Sequence, residues 1–208
     1  MKQVSYRLAE ALETICQKKS LENITVSEIA AEAGVTRQVF YHYFEDKYVL
    51  ASWIHYKDIY YAFKKGMEKS TQYSWRHTTR EWLNVLAEHR SFYTNAFHSA
   101  SQKEFQRMIK EFFYERYKGM LEFIHKKPAT EEQMFVIQVY CNGAIEKVCE
   151  WISKGMPITV EKMLDYLEMA MPAAIRELTI PSEDIPYPEL VKGMENYLHS
   201  LGLLPLSS

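Results

Sequence analysis

The sequence predicts an all-α fold, with a small N-terminal three-helix unit followed by a larger helical body. Three observations lead there. Apolar residues recur at helical spacing along most of the 208 residues, no stretch alternates convincingly as a strand would, and only seven glycines and seven prolines interrupt the pattern. The Tyr-rich segment 56–63 is ambiguous by propensity alone. Hydrophobic residues at 47% and charged residues at 25% are the balance of a globular chain able to bury a core.

No apolar run approaches the roughly 18 residues of a membrane span. The amphipathic start carries Glu10 and Glu13, unlike the apolar core of a signal peptide. Cys16, Cys141 and Cys149 are odd in number and scattered, so buried apolar thiols in a reducing cytoplasm are expected, with no disulfide framework.

The first helix is expected over 4–19, where Leu8, Ala11, Leu12 and Ile15 share a face and Lys18 and Lys19 suit the last turn. Thr25, followed three residues on by Glu28, is a capping box that opens a second helix with a slim apolar face of Ile29, Ala30 and Ala33. Gly34 is a natural left-handed stop. Thr36 then caps a short third helix over 37–43, with Val39, Phe40 and Tyr43 as inward candidates, and Asp46 caps a fourth running to about Lys69. Further helices are expected over 75–87, 89–97, 102–126, 131–153 and 160–178, separated at 70–74, 98–101, 127–128 and 155–157. Pro181, Pro186 and Pro188 read as a linker before an amphipathic segment with Leu190, Val191, Met194, Tyr197, Leu198 and Leu201 on one face. The expected divisions are 1–47, 48–180 and 181–208.

Two short helices joined by Ala33-Gly34-Val35 form a helix-turn-helix layout over about 25–47, in which the second helix enters a DNA major groove. Ala30 permits close packing, Gly34 makes the turn, and Val39 and Phe40 face inward against Arg37, Gln38 and His42 outside. The segment ITVSEIAAEAGVTRQVFYHYFEDKYVL resembles the N-terminal signature of the TetR family of bacterial transcription regulators, and the likeness covers about residues 5–55. That resemblance implies that Thr25, Ser27 and Thr36 present hydroxyls or free N–H groups to phosphate, and that Tyr41 and Lys47 contact the DNA backbone. Arg37, Gln38 and His42 become candidates for base edges, Arg suiting guanine and Gln adenine. His42 could equally touch a phosphate. Val39 stands where many members carry a small residue. Thr25 and Thr36 would cap helices with or without DNA, and Tyr41 and Phe44 could instead be core.

Net charge is −2, and residues 1–47 show no basic excess. Lys2, Arg7, Lys18, Lys19, Arg37 and Lys47 face Glu10, Glu13, Glu22, Glu28, Glu32, Glu45 and Asp46. DNA binding therefore rests on where charges sit, which implies few phosphate contacts per head and a moderate loss of affinity with salt.

The resemblance also implies a variable body linked to the reader by the fourth helix. Its many aromatics could be core or could frame a cavity for a small apolar or amphipathic effector, with Trp82, Tyr93, Phe97 and Phe113 as candidate lining. The last two body helices are expected to pair with a partner's copies, as a near-palindromic double-stranded operator requires of a homodimer. Tyr140, Ala144, Val148, Trp151, Leu167 and Met171 are the expected interface, with Val139, Gly143 and Lys147 beside them. The stretch 142–156 resembles a subclass that includes regulators of dihydroxyacetone-kinase operons. The whole reads as a ligand-responsive repressor of neighbouring genes, with a regulator or activator controlled by a protein partner as the alternative. The last helix is expected to dock on its own body by default, or else to cover the dimer or dock a partner protein. No P-loop, G-x-S-x-G or H-E-x-x-H motif is present, so no catalytic residue or cofactor is expected. His77 and Glu81 share a helix face but are too few for a metal site, and His89, His98 and His125 have no partners at ligand spacing.

Overall fold

Short polar signals set the ends of the first helices. In a computed structural model, which describes residues 4–69, 72–97, 102–179 and 182–186, α1 (Val4–Cys16) buries Leu8, Ala9, Ala11, Leu12 and Cys16 along one stripe. It stops short of the expected residue 19. Gln17 and Lys18 bond to the carbonyls of Thr14 and Ile15, three residues back, and the chain passes into a 3₁₀ turn at Leu21–Asn23. Lys18 and Lys19 thus fall beyond the helix they were expected to close, and Lys19 pairs with Glu28 at 2.6 Å instead.

The capping box is formed as expected at the start of α2 (Val26–Glu32). The Glu28 N–H donates to Thr25 Oγ1 at 3.2 Å, and the Thr25 N–H donates to Glu28 Oε2 at 2.7 Å. Bonds from Lys19 and Thr25 hold the Glu28 carboxyl down to about 2. Gly34 takes φ +65°, and Val35 N–H closes the turn on the carbonyl of Ala30. In α3 (Arg37–Tyr43), Thr36 Oγ1 accepts from the Val39 N–H. Asp46 Oδ1 accepts from the N–H groups of Tyr48 and Val49 at 2.7 and 2.8 Å and starts α4 (Lys47–Lys69).

The body follows as α5 (Trp75–Glu88), α6 (Arg90–Phe97), α7 (Gln102–His125), α8 (Glu131–Ser153) and α9 (Val160–Met169). Ser74, Thr130 and Thr159 cap α5, α8 and α9. Helix α4 packs on α5, α7 on α8, α5 on α9, and α1 on both α4 and α6. Among the described residues the core includes fully buried Phe63, Tyr73, Trp75, Phe92 and Tyr93. Arg76 and Arg80 on α5 bind the acidic side of α9: Arg80 reaches Glu161 at 2.5 Å, and Arg76 reaches Asp165 at 2.6 Å and also Glu168.

Several further expectations are corrected. The helix expected over 160–178 ends at Met169 with Ala170 as its C-cap, because Pro172 has no N–H to continue the ladder, and the chain resumes as 3₁₀ over Ala173–Thr179. A strand pair also exists where none was expected. β1 (Gln72–Tyr73) pairs antiparallel with β2 (Ser182–Pro186), Gln72 opposite Pro186 and Tyr73 opposite Ser182. Pro186 of the expected linker thus lies in β2, while Pro181, Pro188 and the segment through Leu201 lie outside the described residues. Tyr43 is 42% exposed rather than inward, because Phe40 and Phe44, four apart, occupy the inner face. No helix among the described residues is long and apolar enough to cross a membrane.

Two substitutions test these local signals by urea unfolding. Gly34→Ala should cost about 1 kcal/mol, since a Cβ there meets nothing within 4 Å and only the left-handed backbone resists. Thr25→Ala should cost about 1 kcal/mol through loss of the cap. Unchanged midpoints would remove these roles.

Candidate nucleic-acid interface

The interface is built outward from Phe40. Its ring is fully buried, 6.1 Å from Phe44, whose ring lies 5.9 Å from Trp53, which in turn meets Tyr6 of α1 at 5.3 Å. This aromatic chain fixes α3 against α4 and α1. Arg37, Gln38, Tyr41 and His42 consequently point to solvent. Tyr41 is 51% exposed with its edge against Phe40, while Phe44 is buried, so only the second of these two joins the core. Thr25, Ser27 and Thr36 are exposed at the starts of α2 and α3, and Val39 is half-buried.

Lys47 is a brace. Its Nζ donates to the carbonyl oxygens of Glu22 at 2.7 Å and Ile24 at 2.8 Å, tying the start of α4 to the lead-in of α2. Burial lowers its pKa, against the raising effect of Glu22 and Asp46. Two of the three ammonium donors are spent inside the chain.

The near-neutral head is resolved by where its acids go. Glu28 is held by Lys19 and the cap, Asp46 caps α4, and Glu13 faces His89 and Lys57 of the body. Arg37 and His42 remain on the outer face of α3.

In the body, Trp82 and Phe113 meet at 4.7 Å between centroids and line a cavity of about 20 Å³ with Trp75, Tyr117, Tyr140 and Leu167. Trp82 Nε1 and Thr79 Oγ1 are buried there without a hydrogen-bond partner. Tyr93 stands apart from that pair. It donates to Asp58 Oδ2 at 2.7 Å and lies 3.1 Å from Nδ1 of His55, whose complete burial lowers its pKa to about 3. The Phe97 side chain lies outside the described residues.

Helices α8 and α9 present an apolar face. Phe135, Val139, Tyr166 and Met169 are exposed, and Val139 and Tyr166 line a groove of about 620 Å³ together with Tyr140, Ala144, Trp151 and Leu167. Tyr140 donates to the carbonyl of Leu167, and Trp151 Nε1 to that of Ile158. Val148 and Met171 are buried within the protomer. Sequence reasoning missed Phe135, Tyr166 and Met169. The spacing of Phe135 and Val139, one turn apart on α8, was the available signal.

Two of the three histidines without partners at ligand spacing in the sequence, His89 and His125, meet carboxylates in the fold. His125 Nε2 lies 2.8 Å from Glu177, and His89 Nδ1 lies 3.1 Å from Glu13 Oε1 and 3.5 Å from Asp58 Oδ2. Lys57 Nζ lies 3.4 Å from Glu13 and 3.5 Å from Asp58. The bond to Glu13 raises the His89 pKa against the effect of burial. Burial pushes Glu13 up, but His89 and Lys57 together outweigh it and hold the carboxyl below its usual range. Burial raises Asp58. Glu81 pairs with Lys65 at 3.3 Å instead of forming a site with His77, and His98 lies outside the described residues.

A short helix anchored by one aromatic, with a polar outer face behind a glycine turn, defines a helix-turn-helix DNA-binding regulator. Residues 8–52 match the family described as bacterial regulatory proteins, tetR family, and residues 73–172 match a transcriptional regulator C-terminal region of that family. The chain belongs to the TetR family of transcription regulators.

It is similar to the HTH-type dhaKLM operon transcriptional activator DhaS of Lactococcus lactis subsp. lactis (strain IL1403), 31% identical over 90 residues. That stretch is 43% of this chain and 46% of the relative, so the likeness spans less than half of the relative's length. Among solved structures, a dihydroxyacetone kinase operon activator DhaS shares the fold with a TM-score of 0.64 and 22% identity, over 85% of this chain and 98% of that one. A tetR-family regulator from Streptomyces coelicolor gives 0.57 at 16% identity, over 93% and 99%. The fatty acid degradation regulator FadR from Bacillus halodurans gives 0.56 at 14%, over 83% and 97%.

Lys47→Met should lower stability by about 1–2 kcal/mol, because it leaves two carbonyls without their donor. Urea unfolding without DNA reads this, and an unchanged midpoint would remove the bracing role.

Proposed function

We propose that the chain is a homodimeric regulator that binds a near-palindromic operator near its own gene with the outer face of α3. The observation that carries this reading is the exposure of Arg37, Gln38, Tyr41 and His42 on a helix whose opposite side is locked by Phe40. Arg37 and Gln38 read base edges, Tyr41 and His42 reach base or phosphate, and Thr25, Ser27 and Thr36 offer helix starts to phosphates. Lys47 contributes the donor that its bracing bonds leave over. The combined variant Arg37→Ala/Gln38→Ala/Tyr41→Ala should lose operator binding by about 100-fold or more in fluorescence anisotropy on the upstream DNA, with its melting curve unchanged. Retained affinity overturns the assignment.

Dimerisation through α8 and α9 is supported by their exposed apolar face. Tyr140, Ala144, Trp151 and Leu167 line its groove, whereas Val148 and Met171 are buried within the protomer. Val139→Glu with Met169→Glu, both at exposed positions, should give a folded monomer in sedimentation with weakened operator binding. A persistent dimer would place the interface elsewhere.

The input to this reader has two readings. In the first, a small apolar or amphipathic effector enters the body, tilts α4 and releases the operator, which makes the protein a ligand-responsive repressor. In the second, a protein partner supplies the input and the protein can act as an activator. Two observations favour the second. The cavity beside Trp82 and Phe113, at about 20 Å³, is far below the roughly 300 Å³ of a small-molecule pocket. The Lactococcus relative is named a transcriptional activator. Deleting the gene should lower transcription of its neighbours for an activator, and raised transcription selects the repressor.

A further inference from the structure

We propose that Glu13, Asp58 and His89 form a binding site for a divalent transition-metal cation at the junction of the reading head and the body. The site goes beyond DNA recognition and does not depend on it. Its donors come from α1, from α4 and from the residue between α5 and α6, so the fold alone brings them together.

The geometry suits one shared cation. Glu13, Asp58 and His89 each offer one ligand atom within 4.8 Å of the other two, and His89 Nδ1 lies 3.1 Å from Glu13 Oε1 and 3.5 Å from Asp58 Oδ2. Donors bound about 2.0–2.2 Å from one metal stand about 3–3.5 Å apart. Two carboxylates and an imidazole are a mixed oxygen and nitrogen set of the kind zinc, manganese, cobalt or nickel accept.

The surroundings add two independent features. Tyr93, fully buried and itself held beside His55, donates to Asp58 Oδ2 and fixes the orientation of that carboxylate. A groove of about 320 Å³ opens to solvent beside two of the three donors, lined by Glu10, Gln17, Glu88 and both Glu13 and His89. It admits a hydrated cation, leaves room for water to complete the coordination, and sets further carboxylates along the way.

Charge favours the same reading. Asp58 is 4% exposed, and a buried carboxylate demands a close counter-charge. Lys57 stands 3.5 Å from it and 3.4 Å from Glu13, beyond the length of a tight charged hydrogen bond. Lys57 therefore competes with the metal for Glu13 Oε1 and for the charge of Asp58, whose other oxygen, Oδ1, it faces. Metal occupancy would pin α1 to α4 and α6, giving the head a fixed attachment to the body.

The test is titration of the full-length, tag-free chain with Zn²⁺ by calorimetry, and with Co²⁺ by visible absorption, near neutral pH. One saturable site per chain is expected, weakened at least tenfold in Glu13→Gln and in His89→Gln. Lys57→Met should bind at least threefold more tightly, because it removes the competing cation. This last variant separates a metal site from an ion-pair lock, which it could only weaken, and a gain of affinity cannot come from misfolding. Absence of saturable binding in the unaltered chain, binding that survives both ligand substitutions, or no gain with Lys57→Met overturns the proposal.

Discussion

A seven-residue helix cannot hold itself together in water, and α3 is seven residues long. What holds it is the burial of Phe40 against Phe44, and through Trp53 the ring of Tyr6. The Tyr6 hydroxyl in turn lies 2.9 Å from that of Tyr61, far along α4. The outer face of α3 is thus positioned by aromatic contacts running from α3 through α4 to α1. Helix α4 belongs to head and body at once, so any tilt of it must carry α3 with it.

Electrostatics follows from the same economy of parts. A head with more acids than bases can face DNA because several of those acids are turned into structural duty: Glu28 and Asp46 as caps, Glu13 toward the body. Lys47 moves the other way, drawn inward to satisfy two backbone carbonyls that no helix covers. Counting formal charge along 1–47 therefore gives little guidance to the potential at the outer face of α3. The positions of Arg37 and His42 give more.

The parts legible in the sequence are those governed by neighbours within a few residues. The Thr25/Glu28 box, the Gly34 turn, the Thr36 cap and the bounds 37–43 of α3 all depend on local bonding and appear where expected. Pro172 was equally local, yet apolar periodicity on both sides of it masked the break. Nothing local could announce β1, two residues long, because its partner β2 lies at the far end of the body. The Glu13, Asp58 and His89 cluster joins three segments of unrelated spacing. On the α8/α9 face, composition pointed to apolar residues in general. Only packing showed that Val148 and Met171 turn inward while Phe135 and Met169 turn out.

The three cysteines carry a practical consequence. Burial pushes each thiol up to about 12, so none is a thiolate near neutrality, and all three are free. Cys16 ends α1 of the head, whereas Cys141 and Cys149 sit on α8 in the body. A thiol reagent can reach either place only when that part of the molecule opens. The natural chain thus contains two built-in clocks, and the labelling rates of Cys16 and of the α8 pair report the breathing of the head and of the body separately, without an added probe.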